Sequence, residues 1–297
     1  MKFLCTADWH IRKENPKYRI DNYLESLLGK VRYMVDRANE LDARIIIAGD
    51  IFDSPRIGYA VSNALSEILR EAEYSPIACF GNHDTTFHSQ DISNTPFMNL
   101  AVNGNIEFAT NYMILDNTHE SIGITFANWE GKLAPVKLIA DVNILVGHIS
   151  CYEKEVPFFM EHAHTAASLK KVHPGYDWYI TGDIHIPFYE DRVINPGSLC
   201  RSNIDQVNYQ PRYYILDTNT KTVTRELIPV KPAEDVFNLE QKDLDTLKDV
   251  KALNEFIHTI KYTGDRPNFR NVLSHVVKEA EANQDVVDII NLTMEEI

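Results

Sequence analysis

The chain has 297 residues, 44% of them hydrophobic and 24% charged, which is enough for one large domain with an appendage or for two modest domains. The formal net charge of −14 argues against a protein that holds nucleic acid with a basic face of its own, although it does not exclude a nuclease. No apolar run approaches the roughly 18 residues of a membrane span, and an aspartate comes too early for a signal peptide. We therefore expect a soluble, cytoplasmic protein that acts without a membrane.

Short apolar runs alternate with helical stretches over the first half of the chain. Apolar residues recur at three- and four-residue steps across residues 17–42, which is typical of an amphipathic helix, and a second helical stretch follows around residues 61–73. The runs KFLCTA, RIIIAG, PIACFG, NILVG and WYITG have the length and composition of buried strands. This alternation predicts an α/β fold built in layers.

The pattern of apolar and polar residues changes towards the C-terminus. Residues 192–229 predict a β meander that completes a domain spanning residues 1–230, with DTNTK as a turn between two strands. Residues 231–297 predict a helical tail, with one helix over residues 244–260 and another over residues 268–284. Two roles for this tail stay open at this stage: it packs back on the core as a cap, or it docks another protein.

Five of the apolar runs end in residues of metal-ligand type. These residues are Asp8 with His10, Asp50, Asn82 with His83 and Asp84, His148, and Asp183 with His185. In open α/β sheets, sites form at the carboxyl ends of strands, so five such endings predict one shared crevice. The tripeptide Asp-x-His occurs twice, and in extended backbone residues i and i+2 point to the same side. Each pair is therefore expected to aim two ligands at one point.

These groups exceed what one cation needs. Two cations held about 3.5 to 4 Å apart are typical of enzymes that carry out in-line displacement at phosphorus. The residues alone therefore predict hydrolysis of phosphate esters with two divalent cations.

The order of these motifs, D-x-H, G-D, G-N-H-D, G-H and G-D-x-H, resembles that of the calcineurin-like metallophosphoesterases. Within that superfamily, TADWHIR, AGDIFDS, GNHDT and NPGSLCRS with PRYYILDT are similar to the nuclease (SbcD-type) subunit of SbcCD-like double-strand-break repair complexes. The resemblance covers residues 1–230. It implies a four-layer sandwich of mixed sheets flanked by helices, with a C-terminal helical appendage, and the compact length would suit a bacteriophage-encoded version.

The resemblance also implies two metal sites that share one carboxylate. The first would be held by Asp8, His10, Asp50 and His185. The second would be held by Asp50, Asn82, His148 and Asp183. Asp183 departs from the family, which usually has histidine there, and the alternative is that this aspartate only caps the turn at Gly182. As an oxygen ligand, it would favour Mn²⁺ or Mg²⁺ over Zn²⁺.

Further roles follow from the same resemblance. His83 would stay free of metal and act near the leaving oxygen as general acid or charge stabiliser, with Asp84 orienting its ring. Asp53 and Arg201 would line the cleft as supporting groups.

The expected protein is a phosphodiesterase that uses two divalent cations, with Mn²⁺ preferred and Mg²⁺ as the alternative. It is expected to act on DNA in repair and recombination, as an exonuclease that also has endonuclease activity. The expected partner is a coiled-coil SMC-like ATPase (SbcC-type), and a homodimer is compatible with the same resemblance. One alternative is a small-molecule or cyclic-nucleotide phosphodiesterase of the same superfamily. Another is a non-catalytic assembly subunit, against which the intact His83 and Asp84 argue.

Overall fold

A computed structural model describes residues 1–86, 91–116, 120–129, 138–158, 160 and 162–241. Residues 1–237 form one compact unit. The two helices predicted for residues 244–260 and 268–284 lie outside the described residues, so the helical appendage stays a prediction.

The elements are named in chain order within the described residues. The strands are β1 (Lys2–Thr6), β2 (Ala43–Ala48), β3 (Ile77–Cys79), β4 (Tyr112–Asp116), β5 (Ser121–Ala127), β6 (Val142–Gly147), β7 (Cys151–Tyr152), β8 (His164–Thr165), β9 (Trp178–Thr181), β10 (Phe188–Glu190), β11 (Val193–Asn195), β12 (Arg212–Asp217) and β13 (Thr222–Leu227). The helices are α1 (Tyr23–Glu40), α2 (Tyr59–Leu69), α3 (Pro96–Val102), α4 (Ala166–Val172) and α5 (Ala233–Val236), with a 3-10 turn at Ile204–Gln206.

Two mixed sheets organise the unit. The first has the order β13-β12-β1-β2-β3, in which β1, β2 and β3 run parallel and β12 and β13 are antiparallel additions. The second has the order β10-β11-β9-β6-β5-β4, in which β5, β6, β9 and β11 are parallel. β7 and β8 form a separate short pair.

The sheets pack face to face with helices outside, which confirms the predicted four layers. One apolar cluster joins the facing sides of the two sheets, with Phe3 and Ile46 from the first and Ile124 and Val146 from the second. A second cluster joins the outer side of the first sheet to α1, α2 and α3, and a third joins the outer side of the second sheet to α4. Because alternate residues of β2 and β6 enter different clusters, both strands are buried on both faces.

Helix α1 forms where the apolar periodicity predicts it. Asn22 caps its N-terminus by accepting a hydrogen bond from the backbone N–H of Glu25, and its buried face includes Leu27, Val31 and Met34. The predicted helix at residues 61–73 corresponds to α2, which begins at Tyr59 and ends at Leu69.

The predicted meander is confirmed only in part. β12 and β13 form the expected hairpin, and Asp217 accepts hydrogen bonds from the backbone N–H groups of Asn219 and Thr220 in the turn. β11 instead belongs to the second sheet, where it runs parallel to β9. The segment between β11 and β12 therefore crosses from one sheet to the other.

The chain continues past the predicted boundary at residue 230 as part of the same unit. Val236 and Phe237 are buried against Ile204 and Tyr18, and the backbone of Phe237 bridges to that of Arg19. The division at residue 230 stays a prediction. Within the described residues, no helix combines the length and apolar character needed to cross a membrane.

Candidate metal centre

All five predicted clusters follow strands in the structure. Three of the strands, β1, β2 and β3, belong to the first sheet, and two, β6 and β9, belong to the second. The five strand endings therefore come from two packed sheets. The cluster forms where parallel strands of both packed sheets end on the same side.

The backbone at these strand ends is left-handed rather than extended. The φ angles are +50° at Asp8, +47° at His10, +49° at Asp50 and +80° at Asp183. Aspartate and histidine are among the non-glycine residues that tolerate this region best. The expectation that i and i+2 alternation aims the first Asp-x-His pair is thus wrong, because β1 ends at Thr6. Backbone hydrogen bonds to the segment after β2 hold that pair instead, from Asp8 N–H to Gly49 O at 3.1 Å and from His10 N–H to Asp50 O at 3.0 Å.

Glycines allow the strand ends to approach the functional side chains. A Cβ atom at Gly81 would collide with the Asp50 carboxylate, and one at Gly49 would collide with the His148 ring. A Cβ atom at Gly182 would collide with the carbonyl oxygen of Ala48 in β2. These glycines are therefore required by close approach, and Gly49 also has a φ of +92°.

The first predicted ligand set converges. The Nε2 atoms of His10 and His185 lie 3.1 Å apart, and His10 Nε2 lies 3.6 Å from Asp50 Oδ2. Asp8, His10 and His185 offer ligand atoms within 4.8 Å of one another. Asp8 Oδ2 is buried and accepts no hydrogen bond from any described residue. A buried carboxylate with an oxygen that accepts no hydrogen bond, next to two imidazoles, fits a cation site.

The second predicted ligand set surrounds His148. Its Nε2 atom lies 2.9 Å from Asn82 Oδ1, 3.4 Å from Asp50 Oδ2 and 3.6 Å from Asp183 Oδ1. Asp50 Oδ2 is thus close to a histidine nitrogen of each set. The residues present fit two divalent cations that share Asp50, since carboxylate, amide and imidazole groups are ligands of such ions.

A backbone carbonyl orients the His148 ring, and a carboxylate lies beside the His10 ring. His148 Nδ1 donates to the carbonyl oxygen of Ala48 at 3.0 Å, which leaves its Nε2 lone pair for the cluster. Asp53 Oδ1 lies 3.5 Å from His10 Nδ1, and Asp53 Oδ2 accepts from Arg12 Nη1 at 2.9 Å.

The pKa values reflect the crowding of buried charge. Burial, together with the Asp50 charge, raises the pKa of Asp8 to about 6 despite the attraction of His148. Burial opposes the charged form of His148, but the carboxylates of Asp50, Asp8 and Asp183 outweigh it and raise its pKa to about 10. Burial and the His10 charge lower the pKa of His185 to about 4. These shifts arise because carboxylates and imidazoles are buried next to one another, and divalent cations would balance the same carboxylate charges.

His83 and Asp84 have separate roles in the geometry. His83 Nδ1 donates to the carbonyl oxygen of Asp53 at 2.8 Å, so this backbone carbonyl orients the ring. Asp84 does not orient it as predicted. Its buried carboxylate accepts the backbone N–H groups of Ile51, Phe52 and Gly81 at 3.0 to 3.2 Å, which ties the loop after β2 to the loop after β3. Burial and the nearby Asp50 charge raise the pKa of Asp84 to about 7.

Arg201 is placed away from the cluster. Its guanidinium donates to the carbonyl oxygens of Val207 at 3.1 Å and Lys231 at 2.5 Å, and it lies over the Phe237 ring. These contacts put the side chain in a second cavity, not in the predicted cleft. The backbone of its segment does reach the cluster, through hydrogen bonds from Leu199 N–H to Asp8 O at 3.1 Å and from Ser198 N–H to His185 O at 3.4 Å.

Sequence reasoning missed two contacts. Arg12 holds Asp53, and Ser150 donates its hydroxyl to the Asp183 carboxylate. Each lies two residues after a candidate ligand, His10 and His148 respectively. That spacing is the signal that could have found them.

Replacing Asp53 with asparagine is expected to weaken metal binding without unfolding the chain. The change removes the carboxylate charge beside His10 and breaks its pairing with Arg12. Loss of such an outer contact costs about 10- to 100-fold in metal affinity or activity. Isothermal titration with Mn²⁺ tests this, with Asp191→Asn, an exposed carboxylate paired with Lys170, as the matched control. Equal affinities for the two variants would contradict the role.

Asp183 offers a test of the second ligand set. If its carboxylate is a ligand, Asp183→Ala should retain one tightly bound equivalent of metal, whereas Asp183→His should retain two and shift preference towards Zn²⁺ or Co²⁺. Elemental analysis after dialysis measures both. Two full equivalents of Mn²⁺ with unchanged activity in Asp183→Ala would assign Asp183 to turn capping instead.

Three comparisons relate the chain to known proteins. Residues 1–187 match the model of the family described as calcineurin-like phosphoesterase. The SbcD component of the nuclease SbcCD from Staphylococcus saprophyticus is 24% identical over 304 aligned positions, which cover 87% of this chain and 77% of that protein. A solved structure of a novel archaeal phosphodiesterase aligns with a TM-score of 0.42 and 16% identity, covering 76% of this chain and 99% of that one. Members of the matched family hydrolyse phosphoesters with a dinuclear divalent metal centre. Because the family model matches more than half of its residues, the chain belongs to the calcineurin-like phosphoesterase family.

Proposed function

We propose that the protein is a DNA phosphodiesterase, an exonuclease with endonuclease activity, that works as the nuclease subunit of an SbcCD-like repair and recombination complex. The observation that carries the phosphodiesterase part is the position of Asp50 Oδ2, 3.6 Å from the Nε2 atom of His10 and 3.4 Å from that of His148. The nuclease part is supported by the staphylococcal relative, whose similarity spans 87% of this chain.

Different residues of the chain would bind the cations and supply the proton for the leaving group. Asp8, His10, Asp50 and His185 would hold one cation, and Asp50, Asn82, His148 and Asp183 the other. Two bound cations would supply an activated water as nucleophile and positive charge for the phosphate oxygens. His83, with Nδ1 committed to the Asp53 carbonyl, keeps Nε2 to hold a proton for the leaving oxygen.

The negative net charge of the chain supports the proposal that a partner protein binds the DNA. A net charge of −14 repels the phosphate backbone, so the duplex needs a cationic surface from elsewhere. A coiled-coil SMC-like ATPase of the SbcC type would supply that surface. The cations would be Mn²⁺ or Mg²⁺, because carboxylate and amide oxygens make up much of the ligand set.

End-labelled linear duplex DNA and a small diester such as bis-p-nitrophenyl phosphate test the proposal. The purified chain is incubated with each substrate and Mn²⁺, Mg²⁺ or Zn²⁺, with and without the ATPase, and Asp191→Asn serves as the control for an inactive Asp50→Asn. We expect metal-dependent cleavage of both substrates and faster DNA cleavage with the partner. Hydrolysis of cyclic nucleotides without any cleavage of DNA would identify a small-molecule phosphodiesterase. No hydrolysis of any diester would identify an assembly subunit.

A further inference from the structure

A second cavity, which we call the basic cavity, lies between the first half of α1 and the segment 228–236. Its volume is about 440 Å³, and its lining includes Arg19, Lys30, Tyr33 and Arg201. None of the residues of the candidate metal centre lines it. Pockets for small ligands usually measure about 300 to 1,000 Å³, so this one is large enough for a small anion or a nucleotide.

One of its three nearly buried cations has a counter-ion. The guanidinium of Arg19 makes two hydrogen bonds to the Asp21 carboxylate, at 2.8 and 2.7 Å, and a third to the carbonyl oxygen of Arg201 at 2.8 Å. Arg19 and Asp21 therefore neutralise each other.

The other two cations have no carboxylate partner within the described part of the chain. Lys30 is 7% exposed, and its Nζ atom lies 2.8 Å from Cys200 Sγ. Arg201 is 5% exposed, donates only to two backbone carbonyls, and keeps a buried Nε without a hydrogen-bond partner. Glu25 also lines the cavity, but it is exposed and forms no ion pair with either cation among the described contacts.

Such an arrangement is costly unless an anion completes it. Removing a charged group from water is strongly unfavourable when no opposite charge or hydrogen-bonding network replaces the solvent. Burial, followed by the charge of Arg19, lowers the pKa of Arg201, and the smaller opposing effect of the Asp21 carboxylate does not offset them. Two uncompensated positive charges beside one cavity match the double negative charge of a phosphate group, whose oxygens accept from both guanidinium and ammonium donors.

We propose that the basic cavity binds a phosphate group, as inorganic phosphate or as the monoester of a small nucleotide, through Lys30 and Arg201. In the nucleotide case, the Tyr33 ring is the aromatic surface of the cavity that a base can contact. This site is separate from the metal centre and does not depend on the proposed function.

Thermal unfolding of the full chain in EDTA tests the site, because removal of divalent cations prevents phosphate from binding at the metal centre. Titration with sodium phosphate or deoxyadenosine monophosphate is expected to raise the melting temperature by about 2 to 4 °C near saturation, and calorimetry should give one anion per chain. Sodium chloride and sodium acetate at equal ionic strength are the controls. A larger shift with the nucleotide assigns the cavity to a nucleotide, and equal shifts assign it to free phosphate. No shift, or an equal shift with acetate, overturns the proposal.

Matched lysine variants locate the binding. Lys30→Gln should lose the phosphate-dependent shift, and in the absence of phosphate it should melt no lower than the unmodified chain, because it removes an uncompensated buried charge. Lys30→Arg should keep the shift. Lys171→Gln, at an exposed position of α4, is the control. A full phosphate shift in Lys30→Gln would overturn the site, and so would one in Arg201→Gln, which tests the second cation if Lys30→Gln does not fold.

Discussion

Asp50→Asn is expected to lower diester hydrolysis on the order of 10³-fold and to remove most of the bound metal, because the variant weakens both ligand sets at once. Its Oδ2 atom lies 3.6 Å from His10 Nε2 and 3.4 Å from His148 Nε2. A metal ion contributes several kcal/mol to stabilising charge in the transition state, which corresponds to a rate factor of this size.

Fold and metal content must be measured together for this variant. Asp50 Oδ1 accepts the backbone N–H of His83 at 2.9 Å, and asparagine can keep that hydrogen bond through its amide oxygen. Asp50→Asn should therefore retain a native circular dichroism spectrum while losing Mn²⁺ in elemental analysis. Asp191→Asn controls for the loss of one negative charge elsewhere. Two equivalents of Mn²⁺ and a near-normal rate would exclude the bridging role.

His83→Ala is expected to lose about 10²- to 10⁴-fold in hydrolysis rate while both metals remain bound. The His83 ring packs edge to face against His10, with centroids 4.7 Å apart. The backbone N–H of His83, which holds Asp50, survives the substitution.

The metal content of His83→Ala decides between two roles. His83, His10 and Asp50 offer ligand atoms within 4.8 Å of one another, so proximity alone would also allow His83 to be a ligand. A general acid predicts two equivalents of metal and a slow reaction, and a ligand predicts one equivalent. The rate loss should also shrink for a diester whose leaving group needs no proton, such as p-nitrophenolate. His162→Ala, at an exposed position, is the control.

The sequence predicted the layers and the strand-end clusters because both depend on local pattern. Buried strands appear in the sequence as apolar runs, and polar residues follow these runs directly after Thr6, Ala48 and Thr181. The sequence did not predict the contacts of His83 and Asp84, because both side chains bind backbone groups. The carbonyl of Asp53 orients His83, and a carbonyl carries no residue-specific signal. The family resemblance assigned Asp84 to the same ring, whereas its buried carboxylate accepts three backbone N–H groups.

Arg201 illustrates a second limit of sequence reasoning. It follows the NPGS turn, where Gly197 has a φ of +72° and its N–H donates to Asn195 Oδ1. The backbone after that turn reaches Asp8 through Leu199, but the arginine side chain two residues later enters the basic cavity. The NPGS motif therefore predicted that this segment lies beside the metal centre, but it did not predict the direction of the Arg201 side chain.

The position of β1 between β2 and β12 sets the order in which the enzyme can be completed during synthesis. The first strand pairs with residues 212–217, so the sheet that carries Asp8 and Asp50 stays unfinished until more than 200 residues have left the ribosome. Pairing between strands so distant in sequence also slows folding, because a long loop must close first. A nascent chain therefore holds Asp8, His10, Asp50 and Asn82 long before His148, Asp183 and His185 exist to complete the two ligand sets. The chain can therefore hydrolyse a phosphodiester only after most of its residues have been synthesised.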